Sequence, residues 1–94
     1  MISTRFLQQK SLNFDNVRQE FKELKKWLST QKTNDLALDL SLIEYIDSAG
    51  IAMLIELRKI AQFKYHKSIQ MKISPIIHEM LMFYDVEQLL GKVE

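Results

Sequence analysis

Apolar residues in this chain change their spacing several times, and each change marks an element. Phe14, Val17, Phe21, Leu24 and Leu28 recur at steps of three and four. That period predicts an amphipathic helix whose other face carries Arg18, Glu20, Lys22, Glu23, Lys25 and Lys26. Asn13 or Asp15 is placed to be its N-cap. Polar residues 31–34 then lead into Leu36, Ala37, Leu38 and Leu40, which read as a mostly buried strand, and residues 42–46 carry the chain up to Asp47. Residues 51–61 form an apolar run that at this length can only be a helix. Beyond it, Ile69, Met71 and Ile73 alternate strictly with polar residues, predicting a half-buried strand over 68–73. Ser74 caps and Pro75 opens another helix, and Gly91 ends a short helical run over 86–90. Residues 3–8 carry the weakest pattern, a short polar stretch that fits a first strand.

The order strand, helix, strand, helix, strand, helix makes a small α/β domain the economical fold, with right-handed crossovers laying helices on one sheet. No repeat and no linker interrupts residues 1–94, so one domain is expected.

The junction Asp47-Ser48-Ala49-Gly50 ends the apolar run and opens the long helix. A helix start leaves several backbone amides without intrahelical partners, so the position favours an anion, a phosphoryl group or a carboxylate of another protein. On a helical wheel Met53, Leu54, Leu57, Ile60 and Ala61 share the side that packs on the sheet. Ser48 points roughly opposite, and Ile51, Ala52, Ile55, Lys59 and Gln62 fall within about sixty degrees of it. Charge is expected on a merely solvated face. Small and apolar residues here instead predict an interaction face, unless Ile51 and Ile55 are covered by the same domain. Around Ile76, Ile77, Met80, Leu81, Met82, Phe83 and Tyr84 the last helix is apolar over much of its circumference, and for it a core role is expected, Met80 and Met82 filling gaps.

The strand–Asp-Ser-Ala-Gly–helix junction resembles the STAS family, the sulfate transporter and anti-sigma factor antagonist domains, whose members carry an Asp-Ser/Thr-x-Gly motif there. Leu12-Asn13-Phe14-Asp15-Asn16-Val17 is similar to that family's exit into its first helix, and Ser74-Pro75-Ile76-Ile77 to its last strand-to-helix turn. Asp-Ser-Ala-Gly-Ile-Ala is similar in wording to the STAS subunits of bacterial Mla phospholipid ABC transporters. The resemblance implies a single small STAS-like domain with a mixed or parallel central sheet of about four strands packed with helices. It also implies a protein without catalysis or cofactor.

Composition narrows the remaining chemistry. With 94 residues, 47% of them hydrophobic, and a net charge of +1, the chain fits a folded domain without strong attraction to nucleic acid or anionic membranes. There is no cysteine, so no disulfide framework and no thiolate metal site or nucleophile is available. The first six residues lack the basic and apolar regions of a signal peptide, and no apolar segment approaches the roughly eighteen residues of a membrane span. Any membrane role is then expected to run through partner subunits. Ser48, Asp47 and either His66 or His78 supply the residue types of a hydrolase triad, but adjacent Asp and Ser side chains diverge and no Gly-x-Ser-x-Gly elbow is present. His78-Glu79 lacks a second metal-spaced ligand. Gly50 and Gly91 are the only glycines, too few for a phosphate cradle, and Glu20 and Glu23 interrupt the basic-aromatic group Lys22, Lys25, Lys26 and Trp27.

Two functions follow from the resemblance, and composition suggests a third. In the first, the chain is an accessory subunit of an Mla-type transporter that binds and supports the ATPase subunit in maintaining outer-membrane lipid asymmetry. Ser48, Ile51, Ala52, Ile55 and Lys59 then form the contact surface, with Asp47 and Gly50 holding the junction and Gly50 permitting tight turning and close approach. The expected location is cytoplasmic, at the inner face of the inner membrane within the complex. In the second, the chain is an anti-sigma factor antagonist whose Ser48 is phosphorylated by an anti-sigma factor kinase. A free-standing lipid carrier is the third, although a domain this small has little cavity volume to spare.

Overall fold

The computed structural model describes residues 2–91. Strand β1 (Ile2–Phe6) and a two-residue strand β2 (Ser11–Leu12) precede helix α1 (Val17–Thr30). Strands β3 (Asp35–Leu40) and β4 (Tyr45–Ile46) then lead into α2 (Ser48–Phe63). Strand β5 (Ser68–Ile73), α3 (Pro75–Phe83) and a closing 3-10 turn over Glu87–Leu90 complete the described chain.

Three strands form a sheet in the order β1-β3-β5, and β2 and β4 form a separate ladder; every pairing is parallel. Ile2 lies beside Asp35 and Asp35 beside Ser68, a step of 33 residues each time. Each strand is thus added outside the last after one complete helical crossover. Because the additions run in one direction and parallel crossovers share one hand, their helices fall on one face of the sheet. Burial agrees: Leu36, Leu38, Leu40, Ile69 and Met71 are buried beneath the helices, whereas Thr4, Asp35, Ser68 and Lys72 are exposed on the other side. A parallel sheet with one open face is uncommon, because helices usually cover both.

Helix α2 is the centre of the packed side. It contacts α1, α3, β4, β5 and the closing turn, and Met53, Leu54, Leu57 and Ala61 seat it in the core. Lys67 ties its far end down: the ammonium donates to the carbonyls of Gln31 at 2.6 Å and Thr33 at 2.7 Å, joining the entry of β5 to the loop between α1 and β3.

Local departures from the sequence reading have local causes. Phe14 does not join the apolar stripe of α1: it stands before the helix, 80% exposed. Neither Asn13 nor Asp15 caps α1. Asn16 occupies the cap position, and its side chain instead accepts from the Asn13 amide and donates to the Ser11 carbonyl, building the turn that leads into the helix. Ser74 occupies the cap position of α3, as expected, but its hydroxyl makes no capping bond and is buried without a partner among the described residues. In α3 only Ile77 and Leu81 are buried, while Met82 at 55% and Phe83 at 78% exposure point outward, so the core role expected for Met82 is not realised. Gly91 does end the closing turn, at a positive φ of 72°.

Candidate functional site

The start of α2 is completed by one side chain. Asp47 is the N-cap of α2, with extended backbone, and its Oδ1 accepts the Gly50 amide at 3.0 Å. Its Oδ2 accepts the Phe14 amide at 2.9 Å, across the gap to the segment between β2 and α1. Main-chain bonds reinforce the junction, since the Asp47 amide donates to the Leu12 carbonyl and the Ile51 amide to the Asp47 carbonyl. Burial pushes the Asp47 carboxyl up, but bonds from the amides of Gly50, Phe14 and Ala49 outweigh it and hold the group below its ordinary range.

This corrects one expectation about chemistry. The amides at the start of α2 do not form a vacant anion cradle, because the carboxylate of Asp47 already accepts from those of Gly50 and Ala49. An incoming phosphoryl group would meet a fixed negative charge.

Gly50 is required by space. A methyl group there would collide with the Leu12 carbonyl and stand 2.6 Å from Cγ1 of Ile46, where helix and ladder touch. Its backbone is ordinary helix, so the tight turning expected of it plays no part; the close approach does.

Around this junction the predicted contact residues divide. Ser48 and Ala52 are exposed, Ile55 is half-buried against the core, and Lys59 is exposed with an ion pair to Glu56 at 3.7 Å. Ile51 falls on the other side of the division. It is 4% exposed and belongs to the core, because its flank of the helix is shared with Leu54 one turn on. Ile51 therefore anchors α2 and supplies no exposed area. The hydroxyl of Ser48 has no hydrogen-bond partner among the described residues.

Phe14 was missed as a surface residue. Its amide is held by Asp47 and its ring is exposed, so a large apolar group stands next to the Asp-Ser-Ala-Gly junction. The available signal was its setting: Asn13, Asp15 and Asn16 surround it with turn formers, and the Asn13 side chain accepts the Asp15 amide in a local turn. No described helix is long and apolar enough to cross a membrane.

Comparison with known proteins agrees with this architecture. A family model described as "Mlab, STAS domain" matches residues 9–91. Among solved structures, a chain from Thermotoga maritima, described as a proposed anti-sigma factor antagonist, is similar with a TM-score of 0.75 at 16% identity. The likeness covers 97% of this chain and 79% of that one, and at this identity it speaks for the fold. No curated protein matches the sequence.

Proposed function

Since the chain belongs to the STAS family, we propose that it is a non-enzymatic accessory subunit that docks on the ATPase of an Mla-type phospholipid ABC transporter. The observation that carries this reading is the exposed, unpartnered Ser48 hydroxyl, with exposed Ala52 on its helix face and the exposed Phe14 tethered beside it. An exposed aromatic ring near the centre with the charged Lys59 toward the edge matches the aromatic core and polar rim of a protein interface. Ile55 contributes its outward half, and Ile51 holds the helix in place beneath. The description of the matching family model supports the transporter branch.

In this role the domain works in the cytoplasm at the inner face of the inner membrane, meets the membrane only through partner subunits, and supports the ATPase in maintaining outer-membrane lipid asymmetry. It needs no cofactor.

A second reading rests on the same hydroxyl. As an anti-sigma factor antagonist, the chain would accept a phosphoryl group at Ser48 from a partner kinase, and the description of the Thermotoga maritima chain supports that branch. The added charge of about −2 would lie next to the Asp47 carboxylate and break the contact by repulsion and desolvation.

Affinity capture from the native host with wild type, Ser48→Ala and Ser48→Asp tests both. Recovery of an ABC ATPase with its permease supports the first reading, and recovery of a kinase-like anti-sigma factor the second. In either case Ser48→Ala retains the partner and Ser48→Asp loses it. A Ser48→Asp protein that keeps every partner overturns docking at this site.

A further inference from the structure

At the opposite end of α2, about 20 Å from Ser48 by the rise of a helix, lies a cavity of about 450 Å³ lined by Arg58, Gln62, His66, Lys67, Ser68 and Ile69. We propose that it binds a small soluble phosphate monoester.

Arg58 carries the argument. The residue is half-buried, and its guanidinium has no carboxylate within 4.0 Å among the described residues and makes only a long, exposed contact from Nη1 to the Leu89 carbonyl at 3.5 Å. A guanidinium without a counter-ion is free to make charge-assisted bonds, and an anion in the cavity would supply the acceptors. Its orientation is also fixed by packing. The guanidinium lies against Gly91, where an added methyl would stand 2.9 Å from Cζ, so the group is held in place beside the cavity that Arg58 lines.

The rest of the lining has matching chemistry. Gln62, His66 and Ser68 offer an amide, an imidazole and a hydroxyl, none with a side-chain partner among the described residues. His66 holds a positive φ of 54°, a conformation uncommon for residues other than glycine. Lys67 also lines the cavity, its ammonium held on the Gln31 and Thr33 carbonyls. Among the described residues no carboxylate lines the cavity. Of the carbonyls at the end of α2, which disfavour an anion, Ile60 accepts from the amides of Lys64 and Tyr65, and Ala61 from that of Lys67. The cavity falls within the size range of small-molecule sites, about 300–1,000 Å³.

The test is an NMR titration of ¹⁵N-labelled protein with inorganic phosphate at constant ionic strength. Saturable shifts at the amides of Gln62, His66 and Ser68 are expected, and Arg58→Gln should weaken binding about tenfold or more. Lys22→Gln, on the exposed face of α1, should leave affinity unchanged. Shifts that do not saturate, shifts centred elsewhere, or a folded Arg58→Gln protein that binds like wild type overturn the proposal. If Arg58→Gln does not fold, Ser68→Ala carries the test, with a weakening of about threefold expected and unchanged affinity overturning. Sedimentation with phosphatidic acid vesicles separates the two sources of a phosphate monoester: protein left in the supernatant is expected, whereas co-sedimentation abolished by Ser68→Ala overturns the soluble ligand.

Discussion

Asp47 holds Phe14 at a distance of 2.9 Å from carboxylate oxygen to amide nitrogen, while its second oxygen caps the helix that begins with Ser48. One carboxylate thus fixes both the start of α2 and the exposed aromatic ring beside it.

Asp47→Ala should therefore cost about 0.5–2 kcal/mol at pH 7, the range for loss of a helix cap. The carboxyl is depressed in the folded state, so its contribution is fully present above its unfolded value near 4 and is lost as pH falls through the lower folded value. The stability difference between wild type and variant, measured by urea unfolding, should hold from pH 7 to about 5 and shrink on further acidification. A difference that grows below pH 4 would contradict the assignment.

Gly50→Ala should destabilise by about 1–3 kcal/mol, because the added methyl meets the Leu12 carbonyl, a backbone group that cannot rotate away. Thermal unfolding measures this directly. The same substitution at an exposed helical position would be stabilising, so the sign alone is informative.

Phe14→Ala should leave stability within about 0.5 kcal/mol of wild type, since the ring is exposed and the amide bonded by Asp47 remains. Capture of the partner should nonetheless weaken. Equal capture by wild type and variant, at matched stability, would remove Phe14 from the interface.

Lys67→Met should cost about 1.5–3 kcal/mol, the scale of hydrogen bonds to a charged group, through loss of its bonds to the Gln31 and Thr33 carbonyls. Amide hydrogen exchange should rise in residues 31–34 more than in α2. Uniform exchange across the molecule would show the tie to be global rather than local.

The sequence already contained most of the architecture, because periodicity and burial agree along it. The alternation of Ile69, Met71 and Ile73 coincides with β5 to the residue, and the apolar run from Leu36 lies within β3. The motif was equally plain, since Asp47 and Gly50 carry out local tasks at a strand-to-helix junction. What spacing could not give was the third dimension around that junction. Ile51 and Ile55 fall on the same side of Ser48 on a wheel, at about 60° and about 20°, yet one is sealed and the other half-open, because the neighbours of a helix are set by the rest of the fold. Phe14 satisfied the helical spacing of α1 by coincidence, and the local turn built by Asn13 and Asn16, together with a bond from a residue far along the chain, holds it outside the helix. The cavity by Arg58 was likewise hidden, since it joins α2, the turn at His66 and the start of β5 around a cation whose isolation is visible only in space.

The constant step from Ile2 to Asp35 to Ser68 also bears on how the molecule is made. No strand must be threaded between two already paired, so the winding grows outward in the direction of synthesis. Earlier coils can consolidate while later ones are still emerging, and a truncation from the C-terminal side would strip the last coil before disturbing the first.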